Sequence, residues 1–435
     1  MSSNPLSTNP FVVGEPVPPE SFLGRTNEIT TAFDQINNSG NLAIWGGPGM
    51  GKSSLLDKLA APEVWKKYLP KKSESVIAVR LNCEVIDPFT PAGFWREILT
   101  LLREQLASEP ALQTEINKLL ISEPTKRDSL QNALKKLGEQ NKFLLLLADN
   151  YEQALRANEE YTEAQMDAFL KDCRYLANAA TERKYLSMVV GSLKRLSDSE
   201  YGPKQDPNAS PWFNHYLFQP VKLFPQREVE QILKQNIPQI TPQLQEAIRE
   251  ITGGHPYLLQ IAGFLIYRQL RNPNPLDVKQ FVDDFENRTR QIFQNMWIRC
   301  SEIEKSLLML MAISAVNGRL HQRLRFDLSG IDFIFTQRER ELTSLREQGV
   351  IIPKETKSKY AFSSSIMERW VMQEIWNSDD PTLKGREKIF LNLMSHQQFK
   401  NITKVMEWLW NNKNQVPSIL EWFTKVVGAI QGIGI

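Results

Sequence analysis

The chain has 435 residues, too many for one hydrophobic core, and its length points to about three domains. Its 52 Lys and Arg against 50 Asp and Glu leave a net charge of +2, which excludes a global field drawing it to nucleic acid or anionic lipid. The 41% hydrophobic and 23% charged residues are those of a soluble globular protein, and no apolar run reaches the roughly 18 residues of a membrane span. Residues 1–7 lack the basic-then-apolar order of a secretory signal, so the expected location is cytoplasmic. Cys83, Cys173 and Cys300 stand far apart without a C-x-x-C pair and read as reduced, structural thiols, and the four histidines show no metal-ligand spacing.

In chain order, the first element with chemistry is the short apolar strand Leu42-Ala43-Ile44-Trp45, which runs into Gly46-Gly47-Pro48-Gly49-Met50-Gly51-Lys52-Ser53. This is the phosphate-loop pattern G-x-x-x-x-G-K-[ST], and Ser54-Leu55-Leu56-Asp57-Lys58-Leu59-Ala60 continues it at helical spacing. The glycines let backbone N–H groups close on an anion, and the following helix points its N-terminal amides, Ser54 included, at the phosphates. Lys52 is placed to reach the β- and γ-phosphates and Ser53 Oγ to ligate Mg²⁺. A glycine-rich turn without function is the alternative, and the flanking strand and helix argue against it. The loop predicts binding of ATP or GTP.

Four more near-continuous apolar runs follow, at 76–81, 143–148, 186–190 and 217–223, with helical segments such as 94–106 and 164–179 between them. Buried strands alternating with helices predict a parallel sheet covered on both faces, and 200–210 is a turn-rich loop before the last strand. The run 143–148 ends in Asp149, suited to hold the water shell of Mg²⁺. A general base is often a Glu at the next position; this chain has Asn150, which orients a water without accepting its proton. Glu152 replaces that base only if the strand pleat persists past Asp149, so slow hydrolysis is expected. At the end of the fourth strand, Ser192 is placed to sense the γ-phosphate and Arg195 to stabilise its charge; a solvated loop is the alternative.

Further on, Ser301-Glu302-Ile303-Glu304 is a capping box opening a helix over 303–313. A second helical stretch, 334–348, closes at Gly349, and Val350-Ile351-Ile352-Pro353 and Tyr360-Ala361-Phe362 flank a polar turn like a two-stranded wing. This is the outline of a winged helix. From Ser301 to Trp376 it carries 11 Lys and Arg against 10 Asp and Glu, a net of +1, which argues against DNA reading. The tail from Asp379 repeats apolar residues at helical spacing, broken at Pro417-Ser418. It ends in the uncharged, glycine-punctuated stretch 428–435, read as core or as a membrane-active or self-assembling end.

Two further motifs carry a resemblance. Phe22-Leu23-Gly24-Arg25-Thr26-Asn27-Glu28 matches h-h-G-R-x-x-E, and Gly253-Gly254-His255-Pro256-Tyr257-Leu258-Leu259 matches G-x-P. In the order G-R-x-x-E, phosphate loop, Asp strand, Gly-Ser and G-x-P, and with the leader at 9–19, the chain resembles bacterial STAND signal-transducing ATPases and the related origin-recognition ATPases of the AAA+ group over residues 9–375. The resemblance implies that the base is adenine, that Arg25 and Pro256 join the nucleotide pocket, and that the winged helix serves as an internal latch. Read from the residues alone, Gly254 and Pro256 are a helix stop and a helix start.

The expected architecture is an α/β P-loop NTPase, a parallel sheet covered by helices, with a helical lid, a winged-helix domain and a helical C-terminal tail. Its expected divisions are 1–225 for the ATPase domain and leader, 226–295 for the lid, 296–376 for the winged helix and 377–435 for the tail. The expected function is an ATP- and Mg²⁺-dependent switch that alternates between ATP and ADP states, homo-oligomerises on activation and answers a protein trigger or effector. No repeats of the kind that serve STAND proteins as ligand sensors are present. The alternative is a DNA-loading AAA+ ATPase of origin-recognition or transposition-regulator type, with nucleic acid as partner; an ordinary ATPase motor is disfavoured by Asn150.

Overall fold

A computed structural model gives the structure of the chain and describes residues 8–121, 124–198, 202–203, 210–271, 277–320, 325–328, 330–354, 360–377 and 380–411. The chain divides into two compact units. One comprises Pro16–Gly46 and Gly51–Val221; the other comprises the described parts of Met1–Glu15, Gly47–Met50 and Lys222–Ile435.

The first unit is built on five strands, β1 (Asn41–Trp45), β2 (Val76–Asn82), β3 (Phe143–Asp149), β4 (Leu186–Ser192) and β5 (Tyr216–Pro220). All pairings are parallel, in the order β2-β3-β4-β1-β5. A strand covered on both faces has no use for alternation, which is why β3 reads Phe-Leu-Leu-Leu-Leu-Ala-Asp and is buried throughout. The helix Pro91–Gln105 packs on β2 and the helix Lys52–Ala60 on β2, β3 and β4. Phe89, Phe94, Trp95, Tyr161 and Phe169 interlock at ring separations of 5.0–6.4 Å, and each such buried ring or leucine contributes about 1.5–3 kcal/mol by leaving water.

The predicted fifth strand, 217–223, starts one residue earlier and stops at Pro220. Its partner β1 ends at Trp45, where the chain turns into the glycine loop; after the Val221 N–H bonds Trp45 O at 2.7 Å, β5 has nothing left to pair with. The predicted helix 164–179 is α-helical over Glu163–Arg174 and widens into a π turn over Tyr175–Ala179.

In the second unit the helices Gln226–Asn236, Pro242–Thr252, Pro256–Leu270 and Val278–Arg299 come first. The predicted capping box opens the next helix, Glu302–Arg319: Ser301 Oγ accepts from Glu304 N and Glu304 Oε2 from Ser301 N. The stretch expected as one helix over 334–348 is two, Ile331–Gln337 and Glu339–Glu347, because Arg338 leaves the helical region at φ −120°. β6 (Ile351–Pro353) and β7 (Tyr360–Phe362) form the expected antiparallel pair. Three helices, Ser365–Asn377, Asp380–Leu393 and His396–Asn411, complete a helical C-terminal region. The expected helices and apolar ending at 419–435 lie outside the described residues. Among the described residues, no helix is long and apolar enough to cross a membrane.

Candidate functional site

The phosphate loop takes the backbone its glycines permit. Gly49 and Gly51 sit at φ +72° and +85°, and the helix starts at Lys52 with Gly51 as its left-handed N-cap. First-turn amides have no partner inside a helix and carry its positive dipole end, which suits them to an anion. Lys52 is 8% exposed, and its ammonium donates to Gly46 O at 2.7 Å, across the mouth of its own loop. Ser53 follows in the first turn, while the hydroxyl of Ser54 accepts from the Val17 N–H at 2.9 Å and ties the leader to the helix. Arg25 is buried in a left-handed N-cap conformation and pairs with Glu28 at 3.1 Å, so the G-R-x-x-E motif closes on itself at the start of the helix Thr26–Asn37.

Parallel register brings the end of β3 beside β2 and β4. Asp149 pairs across with Asn82, and a Cβ at Gly191 on β4 would lie 3.0 Å from Asp149 Oδ1, so the glycine leaves the carboxylate its space. Asp149 Oδ1 accepts the Asn150 N–H, and Oδ2 accepts Arg80 Nη2 at 2.8 Å. Arg80 escaped the sequence reasoning; the signal was a lone cation inside the apolar run 76–81. Asn150 is left-handed at φ 52°, and its amide donates to Asn82 Oδ1 at 2.9 Å.

The strand pleat therefore ends at Asp149: the chain turns at Asn150 into a short 3-10 helix, Tyr151–Leu155, and this turn buries Glu152 to 3% exposure. Glu152 lies in the fields of Lys52 and Asp149, and its Oε2 has no hydrogen-bond partner among the described residues. Burial raises its pKa above the ordinary carboxylate value, with Lys52 and Arg156 acting in the opposite direction. A carboxyl whose pKa is higher in the fold gives stability that is fully present below the ordinary carboxylate range and lost as pH rises through the raised value. Glu152→Gln is thus expected to stabilise the protein at pH 7, by about 1–3 kcal/mol, and to gain little at pH 4. Calorimetric melting at both pH values checks this, and a lower melting temperature at pH 7 would show that ionised Glu152 is compensated.

Ser192 ends β4, buried, with its hydroxyl donating to Lys194 O at 2.7 Å while its carbonyl accepts Gly46 N–H at 3.3 Å. The Arg195 guanidinium lies 4.7 Å from the Phe218 ring centre and 5.6 Å from that of Trp45, a cation stacked at the C-terminal ends of β1 and β5. Cys83 and Cys173 are buried thiols pushed far up by desolvation, with the Asp149 and Glu152 charges adding to the effect at Cys83. Neither is a nucleophile.

The middle of the phosphate loop belongs to the second unit. The His255 Nε2 lies 3.1 Å from Pro48 O, and the Tyr257 N–H donates to Gly49 O at 3.2 Å. A Cβ at Gly49 would meet Ile292, Tyr257 and His255 at 2.6–2.9 Å, and one at Gly47 would lie 2.4 Å from Gln348 O. Met50 is fully buried and packs beside Gly349, the left-handed residue after the helix Glu339–Glu347. The turn Gly253-Gly254 ends one helix in left-handed geometry, and Pro256 opens the next. Pro256, which the resemblance assigns to the nucleotide pocket, stands between His255 and Tyr257, the two residues that meet the loop backbone.

Loop, sheet and Asp149 define a P-loop NTPase. Residues 36–193 match the sequence model of the family described as AAA domain, a span that takes in β1 to β4. No curated protein matches the chain. A Walker-type ATPase of Pyrococcus abyssi has a similar structure, with a TM-score of 0.50 at 16% identity over 83% of this chain and 99% of that one. The ORC2 protein of Aeropyrum pernix, solved as ADPNP-ADP complexes, gives 0.47 at 13% identity over 81% and 94%. A STAND protein with a tetratricopeptide repeat sensor, from Pyrococcus horikoshii, gives 0.35 at 15% identity over 99% of this chain and 56% of that one. Residues 36–193 thus carry a P-loop domain that matches the AAA domain model.

Proposed function

We propose that the chain is an ATP-dependent switch of the STAND kind. One observation carries the reading: Gly47–Met50, the centre of the phosphate loop, is packed and hydrogen-bonded within the unit that holds the described parts of Lys222–Ile435, through His255, Tyr257 and the Gln348–Gly349 turn. A phosphate seated on that loop acts directly on the backbone these residues hold, so ATP and ADP differ in how well each tolerates the contacts.

In this reading Lys52 leaves Gly46 O for the β- and γ-phosphates, and the amides of Gly49 to Ser54 line the anion. The oxygens of Ser53 and Asp149 are hard donors of the kind Mg²⁺ takes, and the room Gly191 leaves at Asp149 fits that role. Mg²⁺ bound with nucleotide would neutralise charge on the β- and γ-oxygens. Ser192 and Arg195 answer the γ-phosphate, and Arg25 and Pro256 border the adenine. Residues 296–376 act as a winged-helix latch and 226–295 as the lid; the setting is cytoplasmic, and the active form is a homo-oligomer that meets a protein effector.

Hydrolysis is slow, because Asn150 is tied to Asn82 and accepts no proton. The expected wild-type turnover lies below about one per second, and Asn150→Glu raises it. Faster wild-type turnover would show that Glu152 or another base supplies the function. The reading as a whole is tested by sizing the purified protein with ADP and with an ATP analogue, each with and without DNA. Assembly driven by the analogue alone supports the switch; assembly only on DNA supports a DNA-loading ATPase instead.

A further inference from the structure

Three nitrogens of one guanidinium are committed at the end of β2. Arg80 donates from Nε to Asp57 Oδ1 at 2.8 Å, from Nη2 to Asp149 Oδ2 at 2.8 Å and from Nη1 to Leu81 O at 3.3 Å. Asp57 lies on the helix that follows the phosphate loop, and Asp149 is 5% exposed at the end of β3. A cation that forks between two carboxylates is oriented by both, a geometry open to Arg and closed to Lys. Asp149 already spends its other oxygen on the Asn150 N–H. The carboxylate expected to serve a divalent cation thus has a resident monovalent one.

We propose that Arg80 is the built-in countercharge of Asp149 and makes nucleotide binding nearly independent of Mg²⁺. The inference rests on the nucleotide-binding reading above and adds to it a residue that sets the metal requirement. With Arg80 in place the buried carboxylate is compensated whether or not a metal is present, so the loop and Lys52 hold nucleotide on their own. A second cation brought to Asp149 meets the repulsion of the guanidinium, which its Nε bond to Asp57 holds in place. Remove the guanidinium, and Asp149 becomes an uncompensated buried charge that attracts a divalent ion.

The test is calorimetric titration of the full chain with ADP and ATP, in excess Mg²⁺ and in EDTA, with melting curves for each variant. The wild type is expected to show dissociation constants within about threefold of each other in the two conditions. Arg80→Gln is expected to bind at least about tenfold more tightly with Mg²⁺ than in EDTA, Asp57→Asn to keep the wild-type ratio, and Arg80→Lys, which retains charge without the fork, to fall between. If Arg80→Gln fails to melt cooperatively, the Arg80→Lys ratio decides. A wild type that already needs Mg²⁺ tenfold, or a folded Arg80 variant with the wild-type ratio, overturns the role of Arg80 while leaving nucleotide binding intact. A wild type that binds neither nucleotide in either condition overturns both.

Discussion

Lys52→Ala is expected to weaken ATP and ADP binding by at least about a hundredfold while leaving the fold in place. The ammonium donates to Gly46 O at the mouth of the loop, and the phosphates offer it a charge-assisted alternative. Each hydrogen bond to a charged group is worth about 1.5–3 kcal/mol, so losing two removes about 3–6 kcal/mol of affinity. Alanine is a good helix former at a helix start, so the melting temperature without nucleotide should stay close to wild type. Calorimetric titration measures the affinity. A melting series gives an independent readout, because a ligand that binds only the folded state raises the melting temperature with its concentration, and Lys52→Ala should lose that rise. Wild-type affinity in this variant would refute the nucleotide site.

Gly253→Ala is expected to cost about 2–5 kcal/mol of stability in the C-terminal unit. Gly253 is the left-handed C-cap of the helix Pro242–Thr252, at φ +58°, where a Cβ adds about 1–2 kcal/mol. That Cβ would also sit 1.9 Å from the backbone oxygen of Ser363 and 3.0 Å from Ser364 N. Neither is the end of a flexible side chain, so the segment must shift, at a further cost of about 1–3 kcal/mol. The same segment carries Ser364, whose hydroxyl donates to Ile251 O, so the shift propagates into the helix that precedes the His255 contact with the loop. Chemical denaturation followed by tryptophan fluorescence should show a lower midpoint at constant slope. A loss below about 0.5 kcal/mol would show that the turn relaxes without strain.

The nucleotide loop was legible because its chemistry is contiguous. Eight neighbouring residues encode the turn, the lysine and the helix start, and the apolar runs at 42–45, 76–81, 143–148 and 186–190 name four strands directly, since a strand buried on both faces needs no other signal. The Ser301 capping box and the β6–β7 pair were readable for the same reason: each is settled by residues within a few positions of one another.

Where a residue's placement depended on the path of the backbone, local pattern was not enough. Glu152 was tied to a continuing pleat, but the left-handed turn at Asn150 swings the chain into a 3-10 helix and buries that carboxylate in the field of Lys52 by a different route. One helix over 334–348 was expected from periodicity alone, and periodicity is blind to the break at Arg338.

By itself, then, the sequence determined that this chain carries a phosphate loop on a parallel sheet, because those properties reside in side-chain periodicity and in one short motif. Only the tertiary structure decided what surrounds the loop. Strand order β2-β3-β4-β1-β5 sets β2 against β3, and so puts Arg80 on Asp149, 69 positions away, and on Asp57, 23 positions away. The fold likewise seats His255 on Pro48 across 207 positions. Charges and hydrogen bonds act over a few ångströms of space, and no spacing along the chain records which distant residues the sheet and the helices will bring that close.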